Sequence, residues 1–328
     1  MGRRFRALLC GYYGMGNFGD ELLLKSCIGL LAENGIGAGS IAVMSGSPAD
    51  TKRCYNVTSV DRWNPKAVLR AALDSEMFIL GGGGIFQDAS SVRSVLYYWL
   101  VLRMAKLCGC RVMAVGQSVG PLRSALSRIL AKNAFSLCAE VGVRDAHSLE
   151  ALGGDAELTD DLALTLSFPF RETEKRLFLV NFRRTPSGIE NGAAKDFAAV
   201  QLPDGVRCVG VAMSDDDASL MREMCAAGAL SLDDIVTLSD GIPQDLFAGA
   251  AGAFGMRLHF GLLCLKHSVP CTMVPYDPKV KDFAERWGAP LWHAGARELP
   301  HAWRNSASLP EAAARIEEVF ARAVASGK

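Results

Sequence analysis

Two successive α/β domains, each a doubly wound parallel sheet covered by helices, are predicted by three observations. The chain has 328 residues, short apolar runs alternate with helical patterns along it, and that alternation restarts after residue 175. The length exceeds one ordinary core and suits two domains of typical size. Half of the residues are apolar, enough for two buried interiors. Strand-length apolar runs bounded by turn residues and separated by helix-period segments are the pattern of parallel strands joined by helical crossovers.

In the first half, strands are expected at residues 7–13, 41–45, 77–80, 111–116, 141–144 and 157–158. Helices fall between them at 20–33, 65–73, 92–107, 122–138 and 146–152. The second set has strands at 177–182, 207–212, 235–237, 252–255 and 271–274, with helices at 216–226 and 244–250. Residues 167–175, a polar stretch containing Pro169, mark the boundary. The domains are therefore 1–166 and 167–328, the second carrying a last helix at 310–325 whose Ala313, Ile316, Val319, Phe320 and Ala323 recur at helical spacing and suit packing on either domain. Doubly wound domains bind ligands at the carboxyl ends of their strands, so the site is expected at strand-to-helix turns facing a shared crevice.

Lys plus Arg and Asp plus Glu both number 35, which argues against a general polyanion-binding surface and against a nucleic-acid partner. The start, MGRRFRALLCGYY, has an apolar stretch too short for a signal peptide, and the longest apolar segment, 95–107, is interrupted by Arg103 and Lys106. A cytoplasmic protein is expected, with peripheral contact at the inner membrane surface left open. The ten cysteines are scattered without Cys-x-x-Cys spacing, which fits a reducing compartment and no metal site.

Five segments carry chemistry. GYYGMGNFGDE at 11–21 follows the first strand and opens a helix; its glycines allow close backbone approach, and the helix start offers N–H groups to an anion. The spacing is no dinucleotide fingerprint, and Asn17, Asp20 and Glu21 stand where a pyrophosphate would sit. It reads as a ligand-contacting loop or as a tight turn capped by Asp20. GGGGIFQD at 81–88 ends a strongly apolar strand. Four glycines pack nothing and cost chain entropy, so a substrate or a crossing backbone is expected in the space they leave, with Gln87 and Asp88 available to hydroxyls.

Arg144, in VGVRD at 141–145, ends a strand where a guanidinium grips a carboxylate or phosphate with two prongs, unless a salt bridge to Asp145 or Asp160 holds it. In GMRLHFG at 255–261, Arg257 and His259 flank Leu258 and point the same way from an extended backbone. If His259 opens the helix, the dipole disfavours imidazolium and keeps a neutral imidazole suited to act as a base. In YDPKV at 276–280, Pro278 stiffens a turn from which Lys279 projects as a mobile cation.

Taken in order, GYYGMGNFGDE, GGGGIFQD with the following SVRSVLYY, GQSVGP at 116–121, VRD at 143–145, MRLH at 256–259 and YDPK at 276–279 resemble the polysaccharide pyruvyl transferase family, in particular its bacterial cell-wall branch. The resemblance covers most of the chain. It implies a GT-B-like fold of two Rossmann-like domains facing a cleft, phosphoenolpyruvate as co-substrate, and no cofactor. The acceptor it implies is the terminal N-acetylmannosamine of a lipid-linked disaccharide, converted to a 4,6-linked pyruvyl ketal.

Mapped by motif, the resemblance gives donor binding to Arg144, Arg257, Leu258 and Lys279, and catalysis to His259 and Lys279. Three cations suit a donor with a carboxylate and a phosphate, and make a metal unnecessary. His259 is the expected hydroxyl base, and Lys279 assists phosphate departure. The acid for the enol methylene is left among Asp20, Glu21 and Asp88, on condition that burial raises its pKa. Domain 1–166 is expected on the acceptor side, through Asn17, Asp20, Glu21, Gln87, Asp88 and Arg93, and domain 167–328 on the phosphoenolpyruvate side. Arg3, Arg4 and Arg6 form either a membrane contact or a solvated terminus. Rival readings are a nucleotide-sugar glycosyltransferase of the same architecture, a nicotinamide dehydrogenase, disfavoured by the missing fingerprint, and a non-catalytic sugar- or anion-binding protein.

Overall fold

The structure, a computed structural model, describes residues 2–88, 92–153, 156–168, 173–239, 241–243, 245–296, 298 and 300–325. The chain divides into two compact units: Met1–Met15 with Asp20–Leu166 and Pro310–Lys328, and Gly16–Gly19 with Ser167–Leu309.

In unit 1 the elements run β1 (Phe5–Cys10), α1 (Phe18–Glu33), β2 (Ile41–Ser45), α2 (Pro48–Tyr55), β3 (Thr58–Asp61), α3 (Pro65–Leu73), β4 (Ser75–Phe86), α4 (Val92–Leu107), β5 (Arg111–Val119), α5 (Ala125–Ser136), β6 (Glu140–Val143), α6 (Ala146–Leu152) and β7 (Glu157–Leu158). All seven strands are parallel, in the order β3-β2-β1-β4-β5-β6-β7. Unit 2 runs β8 (Leu177–Asn181), α7 (Ile189–Ala198), β9 (Arg207–Ala212), α8 (Asp215–Ala226), β10 (Asp234–Thr237), β11 (Ala250–Gly255), α9 (Leu258–Lys266), β12 (Cys271–Met273) and α10 (Pro278–Trp287), with parallel order β10-β9-β8-β11-β12. The first sheet reverses winding between β1 and β4 and the second between β8 and β11, and such switch points are where doubly wound sheets bind ligands at their carboxyl ends.

Local chemistry fixes the helix starts that matter for function. Asn64 caps α3 by accepting from the Ala67 N–H, and Pro65 supplies a preset φ at its first position. Asp277 caps α10 through the Lys279 N–H, Pro278 again opens the helix, and Gly288 ends it in the left-handed region. Residues 276–280 are thus not a free turn: Lys279 lies in the first turn of α10.

Several expectations change. The last helix, α11 (Leu309–Ala325), belongs to unit 1 rather than to 167–328. Its Ile316, Val319, Phe320 and Ala323 are buried, Arg111 donates to the Ala323 carbonyl, and Arg322 pairs with Glu157 at β7. The glycine run does not end β4; the strand continues through it to Phe86. Residues 245–249, expected as helix, are turns, and Ala250 already opens β11; Gln244 lies outside the described residues, as do 169–172 of the boundary stretch. Helices α2 and α7 and strand β3 had no expectation. Arg3 and Arg6 are not a loose basic tail: Arg3 donates to the Ser75 and Cys108 carbonyls, and Arg6 pairs with Glu76 at 2.9 Å.

Candidate functional site

At the carboxyl end of β1 the loop after Cys10 folds back on itself. Tyr13 is fully buried and its hydroxyl donates to the Gly81 carbonyl at 2.6 Å. A Cβ on Gly11 would stand 2.4 Å from the Tyr13 ring, and one on Gly81 would stand 2.3 Å from its hydroxyl. Gly82 and Gly83 have φ of +81° and +93°, and a Cβ on Gly82 would meet Leu23 and Leu162. The space beside these three glycines is therefore taken by the protein's own side chains, which corrects the expectation of a substrate or backbone there. Close packing in the left-handed region is reason enough for glycine.

The three candidate acids separate. Glu21 is half-buried; the Gly14 N–H donates to its Oε1 at 2.7 Å and the Tyr55 hydroxyl to Oε2 at 3.1 Å. Burial raises its pKa, outweighing those two donors, and neighbouring Asp20 pushes in the same direction. Asp88 is the reverse case. Desolvation raises its pKa, but the Arg123 and Ser124 N–H groups, at 2.7 and 2.9 Å, together with the Ser127 and Ser124 side chains, hold it at about 2. Asp88 thus fails the condition for a methylene acid, because hydrogen-bond donors stabilise its ionised form. Asp20 is buried near Gly83. Gln87 is half-buried past the end of β4, and Arg93 is exposed in the first turn of α4. Asn17 is half-buried in the Gly16–Gly19 tetrapeptide, which clusters with unit 2 rather than with the first domain.

Arg144 follows β6, but its Nη1 binds Asp161 Oδ2 at 2.6 Å, with the two side chains only 5% and 4% exposed. The partner is Asp161, neither of the two acids expected. Burial opposes the guanidinium charge, yet Asp161, Asp145 and Asp20 outweigh it and raise the pKa. Its Nε has no acceptor among the described residues. Beside it, the Arg144 N–H donates to the Gln117 carbonyl at 3.0 Å. Gln117 is fully buried, and neither end of its amide has a partner among the described residues. A buried unmet polar group costs about 1–3 kcal/mol, so this amide favours an additional partner.

In unit 2, β11 leads into α9 with Arg257 as its N-cap in extended conformation. His259 is consequently in the first helical turn, not on a strand, so the alternation argument for Arg257 and His259 fails. Gly19 packs against this imidazole so closely that a Cβ there would stand 2.2 Å from Nδ1. Leu258 is buried. The Arg257 N–H donates to Asn181 Oδ1 at 2.8 Å, tying α9 to the end of β8. Its guanidinium forks onto buried Asp217, Nη2 to Oδ1 at 2.6 Å and Nε to Oδ2 at 3.0 Å. Lys279 Nζ lies 3.4 Å from Asp277 Oδ2.

Sequence reasoning missed Arg183. It follows β8, lies over the Tyr276 ring at 4.9 Å, and donates from Nη1 to the Tyr276 hydroxyl at 2.9 Å. Its Nε has no acceptor among the described residues, and it has no carboxylate partner there. With Nη1 held, the Nε–Nη2 edge keeps the two-pronged geometry that suits a carboxylate or phosphate. The signal was present in NFRR at 181–184, basic residues directly after an apolar strand.

The sequence profile of the family described as Polysaccharide pyruvyl transferase matches residues 17–278. The chain belongs to this family. No curated protein sequence matches it. Among solved structures, this pyruvyl transferase is similar to a putative UDP-N-acetylglucosamine 2-epimerase from Listeria monocytogenes, with a TM-score of 0.58, 10% identity, and coverage of 97% of this chain and 91% of that one. The UDP-GlcNAc 2-epimerase of Methanocaldococcus jannaschii gives 0.55 at 11% identity, covering 93% and 90%. A glycosyltransferase from Rickettsia africae gives 0.53 at 10%, covering 100% and 94%. At such identities the likeness concerns the fold alone: two parallel α/β sheets of GT-B-like type. The pyruvyl transferase is an enzyme, and its family's reaction requires a pyruvyl donor and a sugar acceptor.

Proposed function

We propose that the enzyme transfers the enolpyruvyl carbons of phosphoenolpyruvate to O4 and O6 of a terminal N-acetylmannosamine on a lipid-linked disaccharide, releasing phosphate. Each hydroxyl oxygen forms a bond to C2 of the donor, the methylene gains a proton and becomes methyl, and the C2–O bond to phosphate breaks. One hydroxyl proton is matched by the proton gained at the methylene, and the other leaves with phosphate.

The observation that carries this reading is the chemistry at the carboxyl ends of β8, β11 and β12. Arg183, Arg257 and Lys279 follow these strands, and His259 opens α9 between them in sequence. A dianionic or trianionic donor needs cations at both ends. Arg257 and Lys279 already face carboxylates, so Arg183 supplies the uncompensated charge. His259 takes the hydroxyl proton as general base. Glu21, whose pKa burial raises, is the acid for the methylene. Arg144 and Gln117, each with a buried polar atom awaiting a partner, join Asn17 and Gln87 as substrate contacts.

The test is a mixture of the full chain with phosphoenolpyruvate and a mannosaminyl-glucosamine acceptor, read by phosphate release and product mass. A ketal product with one phosphate released per acceptor is expected. No phosphate release, together with release of a nucleoside diphosphate from a nucleotide sugar, overturns the reading.

A further inference from the structure

Helices α3, α4 and α5 lie on one face of the seven-stranded sheet. Val68 and Ala72 of α3, Val95 and Leu102 of α4, and Leu130 and Phe135 of α5 all join the same core cluster, so the opposite sides of these helices share one outer surface. Trp99 of α4 donates to Asn133 of α5 at 2.8 Å, and Arg103 donates to the same oxygen at 3.3 Å, which ties the two helices across that surface.

Single exposed leucines are ordinary, but clustered ones are not. Of the ten large apolar side chains exposed among the described residues, eight are on these three helices. Leu69 and Leu73 of α3 are four residues apart, and so are Val92, Leu96 and Leu100 of α4; Leu126 and Ile129 on α5 are 56% and 65% exposed. Such spacing sets each group on one stripe of its helix. Trp63, just before α3, is 61% exposed.

Charge on this face departs from the neutral whole. Lys66 and Arg70 on α3, Arg93, Arg103 and Lys106 on α4, and Arg128 and Lys132 on α5 are all exposed. No Asp or Glu occurs within the three helices, although the chain has 35 acidic and 35 basic residues. Seven cations on helices that contain no Asp or Glu, interleaved with leucines, complement a surface that is negative outside and apolar beneath. A second copy of the chain would set seven cations against seven.

We infer that the outer face of α3, α4 and α5 docks the enzyme onto an anionic lipid bilayer, with leucines entering the interface and cations meeting the headgroups. No helix among the described residues is long and apolar enough to cross a membrane, so the contact is peripheral. The inference goes beyond the pyruvyl-transfer reading and does not depend on it, since vesicle binding needs neither donor nor acceptor.

The test is sedimentation of the full chain with vesicles of phosphatidylcholine alone or mixed with phosphatidylglycerol. Binding to the mixed vesicles, falling with added salt, and little binding to phosphatidylcholine alone are expected. The combination Lys66→Gln, Arg70→Gln and Lys132→Gln should weaken binding on the order of a hundredfold, about fivefold per charge. Leu100→Gln with Ile129→Gln, which keeps all seven cations, should weaken it as well while leaving the thermal midpoint in place. Failure to bind the mixed vesicles, equal binding to neutral ones, or binding indifferent to both variants overturns the inference. So does self-association that the variants abolish while vesicles stay unbound, which would assign the face to a second copy.

Discussion

The carboxyl ends of the two sheets share a strand order but differ in how their space and charge are used. In unit 1 Gly11, Gly81 and Gly82 are packed against Tyr13, Leu23 and Leu162; of the arginines that follow its strands, Arg144 is matched by buried Asp161, and buried Arg62 donates to the Gly11 carbonyl and the Tyr98 hydroxyl, both at 2.8 Å. In unit 2 the strand ends carry Arg183, Arg257 and Lys279, and a carboxylate faces only the latter two. The contrast teaches that a run of glycines marks where the chain approaches itself. Arg183, with no carboxylate partner among the described residues, instead follows a strand, LFLVN, that carries no glycine.

The sharpest way to break this contrast is His259→Ala. Turnover should fall on the order of 10²–10⁴-fold while phosphoenolpyruvate binding, followed by calorimetry, stays within a few-fold; unchanged turnover removes His259 from the chemistry. Gly19→Ala comes next. The added methyl would stand 2.2 Å from Nδ1, so the imidazole must turn away. A fall in kcat of roughly a hundredfold, with stability nearly intact, is the expected outcome, because displacing a reacting group by about 1 Å has that effect.

Arg183→Ala should weaken phosphoenolpyruvate binding about tenfold or more, the range for hydrogen bonds to charged groups; Arg183→Lys should restore charge without the fork and recover only part of it. An Arg144→Ala variant with a larger binding defect than Arg183→Ala would reverse the comparison. Tyr13→Phe, within the packed region, should lower unfolding free energy by about 1–3 kcal/mol by leaving the Gly81 carbonyl unmet, with donor binding unaffected.

The smallest effect is a difference in pH response between two carboxyls of unit 1. Glu21 has its pKa raised in the folded state, so its ionisation destabilises the fold, and the stability present below about 4.5 declines as pH rises through the raised value. Asp88 has its pKa lowered from 3.8 to about 2, so its contribution is complete above 3.8 and is lost as pH falls through 2. Denaturation of Glu21→Gln should lack the first slope and that of Asp88→Asn the second. Identical pH profiles for both variants and the parent would remove the distinction.

Most strands and the long helices were legible because their periodicity is strong: 41–45, 65–73, 92–107 and 207–212 coincide with the observed elements. Helix α2, with the sequence PADTKRCY, and β3, with TSVD, carry little apolar signal and depend on packing at the sheet edge. At the site, residue type was legible and conformation was not. His259 and Lys279 each lie one residue beyond the first position of a helix, and only a cap can say whether a segment after a strand continues extended or turns helical. The filling of the glycine run depends on Tyr13 and Leu162, about seventy to eighty residues away in sequence, so no local pattern reveals it.

Helix α11 makes residues 167–309 an insertion within unit 1, because the chain leaves that unit at Leu166 and rejoins it at Pro310. With the excursion through Gly16–Gly19, four covalent crossings connect the units, and a single cut in any one of them leaves the units still joined. During synthesis the first sheet also waits for α11 to cover it: the partners Glu157 and Arg322 emerge from the ribosome 165 residues apart. The apolar ground beneath Ile316 and Phe320 stays uncovered until α11 is made.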